Sequence, residues 1–107
     1  LSMFRPALLL ALATAVYGLS GEFSGMVGDE IVFPGVPGLK EWSRIMLDDS
    51  VQTTKNGHWV DKNGHEVGGG FEILPNGSLK ILKASIGDVA IYYYIHDGNR
   101  EDFGLKV

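Results

Sequence analysis

The stretch of sequence that decides the fold is residues 76–96, NGSLKILKASIGDVAIYYYIH. It opens on Asn76-Gly77, a pair typical of tight turns because both residues accept a positive φ. Apolar and polar side chains then alternate as far as Lys83, and a long run of β-branched and aromatic residues covers 89–96. Alternation with a period of two predicts a strand that buries one face. The stretch therefore predicts two strands of an all-β domain.

Short apolar runs separated by turn signals predict further strands on both sides of this stretch. The sequence Lys-Asn-Gly-His occurs twice, at 55–58 and 62–65, and each Asn-Gly predicts a type I′ hairpin. The strands predicted before residue 76 cover 30–33, 39–47, 51–54, 58–61, 65–67 and 71–74. A last strand carries Phe103, Leu105 and Val107 on one face. No helical period appears after residue 21.

The first residues have the pattern of a targeting segment. Arg5 precedes an apolar run over 7–17, and Ala13-Thr14-Ala15 fits a cleavage site, with later small residues at 18, 20 and 21. The run is short for crossing a bilayer as a helix. These features predict a signal peptide over 1–21 and one domain over 22–107. A membrane contact is expected only through a segment outside this sequence.

Composition excludes several classes of function. The chain has 107 residues, which suits one domain, and a formal net charge of −4, which argues against a general nucleic-acid binder. It has no cysteine, so a disulfide and the common zinc patterns are both ruled out. The three histidines match no usual metal spacing, and no nucleophile elbow, phosphate loop or dinucleotide fingerprint is present. We expect no metal, no cofactor and no enzyme activity.

Two motifs in the deciding stretch resemble the immunoglobulin superfamily. Residues 76–81 are similar to its strand E, and residues 88–94 are similar to its strand F, while 28–33 resemble the opening of strand B. The resemblance implies an immunoglobulin-like β-sandwich of about seven to nine strands, variable-type or intermediate-type, without a disulfide. It also places Tyr92 at the tyrosine corner, where its hydroxyl bonds to upstream backbone.

The departures from the family pattern lead to further expectations. Tyr94 stands at the second cysteine position and Gly35 near the first, so we expect a large residue facing a small one. The SLAM-like group of lymphocyte adhesion receptors lacks this bond too, and residues 36–42 are similar to that group. Gly70-Phe71 replaces the arginine that begins strand D, so Asp88 is expected to lack its usual partner.

Two tryptophans compete for the core position of strand C. Trp42 implies a variable-type domain with extra strands from 51–67, whereas Trp59 begins a W-x-x-x-x-G pattern of intermediate-type domains. Trp59 would leave a long connection after strand B, which favours Trp42.

The resemblance points to recognition of another protein at the surface. Ile91, Tyr93 and Ile95 alternate with the core residues of strand F, and would form an apolar stripe on the outer face of the G-F-C sheet. The expected rim of this stripe is Lys40, Arg44, Arg100 and Glu101. The partner would be a second copy or another immunoglobulin-like receptor.

The expected location is secreted or on the extracellular face of the plasma membrane. The alternatives are a freely secreted single-domain ligand or decoy, and a structural intracellular immunoglobulin domain. Asn76-Gly77-Ser78 is also a glycosylation sequon, which is either used or serves only as a turn.

Overall fold

The computed structural model describes residues 20–107, which form ten strands and one short 3₁₀ turn. The strands are β1 Gly21–Ser24, β2 Ile31–Phe33, β3 Ser43–Met46, β4 Val51–Lys55, β5 His58–Val60, β6 Glu66–Gly68, β7 Phe71–Ile73, β8 Leu79–Ile81, β9 Ala90–His96 and β10 Asn99–Lys106. The 3₁₀ turn is Ile86–Asp88. The prediction of an all-β domain is confirmed.

The strands form two sheets that enclose one core. The larger sheet has the order β1-β10-β9-β3-β4-β5-β6, and the smaller has the order β2-β8-β7. All neighbours are antiparallel except β1 and β10, which are parallel. Strand β9 lies between β10 and β3 in the larger sheet.

Aromatic rings fill the space between the sheets. Phe33 from the smaller sheet stacks on Tyr92 from the larger sheet, with ring centroids 4.7 Å apart. Trp42 meets Tyr94 edge-on at 5.0 Å, and Phe103 contacts both Phe33 and Trp42. Buried aromatic side chains remove more apolar surface from water than other residues do, so they stabilise a core that has no disulfide.

Both tryptophans are fully buried, but they occupy different parts of the core. Trp42 leads into β3, the strand between β9 and β4, whereas Trp59 lies on β5, two strands further along the same sheet. The tryptophan beside β9 is therefore Trp42. Trp59 packs under β7 through Phe71, with ring centroids 4.8 Å apart.

Gly35 does not face Tyr94 in the way the sequence suggested. A Cβ at position 35 would overlap the carbonyl oxygen of Gly77, so the glycine lets the chain after β2 approach the turn before β8 closely. Trp42 contacts Tyr94 and donates its indole N–H to that same Gly77 oxygen at 2.8 Å. The two sheets are thus joined at this level by a tryptophan and a hydrogen bond.

The two Asn-Gly hairpins differ in type. Asn56 and Gly57 both have positive φ, at 51° and 81°, which confirms the type I′ turn between β4 and β5. In the second pair only Gly64 has positive φ, so the type I′ prediction is wrong there. The carboxylate of Asp61 explains the difference, because its Oδ1 accepts hydrogen bonds from the backbone of Asn63 and His65 and holds a longer loop.

Strand β1 was not predicted from the sequence. Gly21 pairs with Phe103, and the Ser20 N–H donates to the Asp102 carbonyl at 2.6 Å. Phe23 turns inward onto Phe33 and Phe103. Residues 1–19, which carry most of the predicted signal peptide, lie outside the described residues. The boundary predicted at residue 21 falls inside β1, whereas cleavage after Ala15 would leave the strand whole.

Candidate protein interface

The candidate site is the outward side of the larger sheet, which we call the outer face. Residues directly opposite each other on neighbouring strands point to the same side of a sheet. Ile91 is paired with Ile45, and Ile45 with Val51, while Tyr93 is paired with Ser43. The outer face is therefore defined by Ser43, Ile45, Val51, Thr53, Ile91, Tyr93, Ile95 and Arg100.

Ile91, Tyr93 and Ile95 lie side by side on this face, as the alternation along β9 predicted. Ile95 is 61% exposed, and Ile91 and Tyr93 are half-buried by their neighbours on β3 and β10. Two residues that sequence reasoning missed widen the apolar area: Ile45, and Val51, which is 41% exposed. Their signal was present, because both alternate with residues that point into the core.

Arg100 lies on the outer face near the β9–β10 turn, where it is paired with Ile95. Its guanidinium carbon sits 4.0 Å from the centre of the Tyr93 ring, and its Nε donates to Asp102 at 2.6 Å. The stacking and the ion pair hold this long side chain in one place. The predicted position of Arg100 beside the apolar stripe agrees with this geometry, and Tyr93 presents its ring beneath a cation instead of open to solvent.

Two concavities lie at opposite ends of the line formed by Ile91, Tyr93 and Ile95 on the outer face. A groove of about 460 Å³ lies toward the end of β9, between the segment before β3 and residues 93–96. Lys40 and Glu41 line this groove together with Tyr93 and Ile95. The structure therefore brings Lys40 to the apolar stripe, where the sequence placed it.

The second concavity, of about 290 Å³, lies at the opposite end of the face and is largely apolar. Ile45, Leu47, Val89 and Ile91 line it, beside Gly104 of β10. Hollows beside exposed apolar side chains give a partner's side chains places to insert, which is how the strongest contacts of protein interfaces are made.

Glu101 does not belong to the outer face. It is paired with Tyr94, whose ring faces the core, so Glu101 points to the inward side at the rim of the sandwich. There it accepts a hydrogen bond from Ser20 at 2.9 Å. Burial, together with the Glu101 carboxylate, raises the pKa of the Tyr94 hydroxyl. The prediction that Glu101 rims the stripe is therefore wrong.

Arg44 does not rim the outer face either, because it is 4% exposed and points into the core. Its guanidinium lies over the Trp59 ring at 4.2 Å. Its Nε donates to Gln52 at 2.7 Å, and its Nη1 donates to Asp88 and to the Tyr92 hydroxyl, each at 3.1 Å. The period of two explains the burial, since Arg44 follows Trp42 on the inward side of the chain.

Asp88 consequently has a partner, contrary to the expectation from the missing arginine of strand D. Arg44 approaches it from β3 and supplies the positive charge from another position in the fold. The other carboxylate oxygen of Asp88 accepts from the Ser85 backbone at 2.9 Å, which fixes the 3₁₀ turn. A buried arginine is tolerated where its donors are satisfied and its charge is paired.

Tyr92 completes this network, and its expected corner bond is confirmed. The hydroxyl donates to the Asp88 carbonyl at 2.6 Å and accepts from Arg44. Burial raises the pKa of Tyr92 to about 12, and the nearby Arg44 charge opposes part of that rise. The arrangement ties the connection before β9 to the core.

Asn76 lies exposed in the turn between β7 and β8. Its Oδ1 accepts a hydrogen bond from the Ser78 N–H at 3.0 Å, and Ser78 is buried with its Oγ accepting from Gly35 at 3.2 Å. These hydrogen bonds stabilise the turn whether or not Asn76 carries a glycan. The exposed side chain of Asn76 leaves room for a glycan.

Each of the three histidines has an acidic neighbour. His58 lies 3.9 Å from Glu66, His65 lies 3.8 Å from Asp61, and His96 lies 3.3 Å from Asp97. Across residues 20–107 no cluster of three or more such side chains is arranged to hold a metal ion. In the same range no helix has the length and apolar character to span a membrane.

Comparison with known proteins gives no assignment. No family model matches the chain, and no curated protein matches it.

Proposed function

We propose that this chain is an extracellular immunoglobulin-like domain of the variable type, and that it binds another protein through its outer face. The proposal joins the sequence motifs to the geometry of the larger sheet.

The strand order supports the immunoglobulin assignment. Variable-type domains add two strands beside strand C to the sheet that carries strands G and F. The order β10-β9-β3-β4-β5 corresponds to G-F-C-C′-C″, and β2-β8-β7 corresponds to B-E-D. The Tyr92 bond to Asp88 occupies the position of the tyrosine corner of that family.

One observation carries the proposed binding role: the outer face presents adjacent apolar side chains that no strand of residues 20–107 covers. Ile95 is the most exposed large apolar residue of the outer face, and a groove lies at each end of the line formed by Ile91, Tyr93 and Ile95. Exposed apolar patches with a polar rim mark interaction sites on soluble domains. Arg100 and Lys40 supply that rim.

The experiment uses the chain secreted from cultured cells, purified and tetramerised to raise avidity, and incubated with a panel of live cells. Ile95→Lys places a charge on the outer face. Val32→Lys, at a site 39% exposed on the smaller sheet, adds the same charge elsewhere. We expect the wild type and Val32→Lys to stain the same cells, and Ile95→Lys to lose the staining.

Two results would contradict the proposal. Loss of staining in Val32→Lys with retention in Ile95→Lys would move the binding surface to the smaller sheet. Absence of binding to any cell, with no self-association in sedimentation equilibrium, would remove the recognition role. Secretion and the N-terminal residue of the product test the location. An extracellular domain should be secreted after cleavage of its N-terminal segment, whereas an intracellular structural domain would stay in the cell and retain residues 1–15.

A further inference from the structure

The chain contains three Asn-Gly pairs, at 56–57, 63–64 and 76–77, and the fold gives each a different environment. Asparagine followed by glycine is chemically labile, because glycine has no side chain to hinder attack of its own backbone nitrogen on the asparagine side chain. In a folded protein the attack requires the turn to open and the two groups to approach. The hydrogen bonds of each turn therefore set its rate.

We propose that Asn56 is a site of spontaneous deamidation and that Asn63 and Asn76 are protected by the fold. The backbone nitrogen of Gly57 attacks Cγ of Asn56, a nitrogen–carbon bond forms, and the side-chain amide leaves as ammonia with the proton from Gly57. Water then opens the cyclic imide at either carbonyl and yields aspartate or isoaspartate. The reaction consumes one water and requires no oxidant. It is independent of the proposed binding function.

Asn56 is the least restrained of the three sites. Its two-residue turn is exposed, and the space around Gly57 is open to 4 Å. Among the residues that the structure describes, none accepts a hydrogen bond from the Gly57 N–H or bonds to the Asn56 side chain. Only the cross-strand pair of Lys55 and His58 closes the turn.

Asn63 is held by one neighbouring residue. The Asp61 carboxylate accepts from the Asn63 N–H at 2.8 Å, and the Asp61 carbonyl accepts from the attacking nitrogen of Gly64 at 3.0 Å. The bond from Gly64 must break before its nitrogen can attack, and the bond from Asn63 restrains the turn. The side chain of Asn63 is itself exposed, so protection here is intermediate.

Asn76 is held most firmly. Its Oδ1 accepts from Ser78, and the Gly77 N–H donates to the Leu74 carbonyl at 2.8 Å. Gly77 is also wedged against the backbone of Val36, and its carbonyl accepts the Trp42 indole N–H. Opening this turn disrupts the core. The glycosylation sequon at this position therefore keeps its asparagine while the domain is folded.

Deamidation of Asn56 would change the tip of the β4–β5 hairpin in two ways. Each product adds one negative charge beside Lys55. Isoaspartate also lengthens the backbone by one carbon, which a two-residue turn with positive φ at both positions does not accommodate.

The test incubates the folded full chain at mildly alkaline pH and follows each Asn-Gly pair by peptide mapping. Export from bacteria, which add no glycan at Asn76, keeps all three side chains free. In denaturant the three pairs should convert at similar rates. In the folded chain Asn56 should convert first, and Asn76 should be slowed by about tenfold or more relative to the denatured chain, since two or more hydrogen bonds must break.

A matched variant separates protection by hydrogen bonds from protection by position. Asp61→Ala removes the carboxylate that holds the second turn, so Asn63 should convert several-fold faster while Asn56 is unchanged. Conversion of Asn63 or Asn76 in the folded wild type as fast as Asn56 would overturn the inference. An Asn56 rate slowed as strongly as that of Asn76 would overturn it too.

Discussion

At the scale of single residues, the partners of Arg44 explain why the core accepts its positive charge. Its guanidinium is stacked on Trp59, paired with Asp88 and bonded to Gln52. We predict that Arg44→Leu lowers the free energy of unfolding by about 3–5 kcal/mol, because it leaves the Asp88 carboxylate without its partner. The free energy of unfolding of Arg44→Lys should lie between those of the wild type and Arg44→Leu, because lysine keeps the charge but lacks the planar guanidinium group.

Chemical denaturation measures these differences. The double variant Arg44→Leu with Asp88→Asn removes both charges, and it should recover part of the loss. If Arg44→Leu unfolded at the same denaturant concentration as the wild type, the network around Arg44 would contribute nothing to stability.

Tyr92 gives a second prediction at this scale. The hydroxyl has a pKa of about 12 in the fold, compared with 10.0 for an unperturbed tyrosine. The unfolded chain therefore releases this proton first, and stability should fall by about 2 kcal/mol as the pH rises from 10 to 12. Below pH 10 this group makes no pH-dependent contribution.

The matched variants are Tyr92→Phe and Tyr93→Phe. The first removes the titrating hydroxyl from the core, so its stability should depend less on pH over this interval than that of the wild type. The second removes a tyrosine hydroxyl from the outer face and is the control for the substitution itself. Equal slopes in all three proteins would show that Tyr92 is not the titrating group.

At the scale of strands, β1 forms one edge of the larger sheet and adds an aromatic side chain to the core. Phe23 contacts Phe33 at 5.0 Å and Phe103 at 6.0 Å. We predict that Phe23→Ala costs about 2–3 kcal/mol of stability, somewhat less than a fully buried phenylalanine because Phe23 is half-buried. Met26→Ala, at a site 75% exposed, should change the stability by less than about 0.5 kcal/mol.

Thermal unfolding of the two variants checks this prediction. A Phe23→Ala protein as stable as Met26→Ala would mean that β1 is not a part of the folded domain in solution.

Most strands were readable from the sequence because alternation and turn residues mark them locally. Strand β1 was not, since Phe23 is the only large apolar residue among four and its partner β10 lies some eighty residues away. The second Asn-Gly turn was misread because the Asp61 carboxylate competes for the same backbone groups. Local patterns do not report long-range pairing or side-chain caps.

The candidate site shows the same limit. Ile91, Tyr93 and Ile95 were placed on the outer face by their spacing. Arg44 and Glu101 were assigned by charge, although the same spacing puts both on the inward side. A charged residue in a strand suggests a side chain exposed to solvent. Only the partners contributed by distant parts of the chain show why Arg44 is buried.

At the scale of the whole molecule, two sheets without a disulfide are joined by aromatic packing and by the Trp42 bond to Gly77. The Arg44–Asp88 pair ties β3 to the 3₁₀ turn that precedes β9. The inward side of the larger sheet packs into the core, and its outward side is the surface on which we propose that a partner binds. This division makes the outer face the central element of the functional proposal.

A glycan placed on each side of the molecule tests that proposal most directly. Val51→Asn creates a sequon with Gln52 and Thr53 on the outer face, and Lys83→Asn creates one with Ala84 and Ser85 away from it. The secreted proteins, tetramerised and applied to cells that bind the wild type, are compared after their glycosylation has been verified. We predict that the glycan at 51 abolishes binding and that the glycan at 83 leaves it intact. Binding that survives the glycan at 51 and is lost with the glycan at 83 would contradict the account.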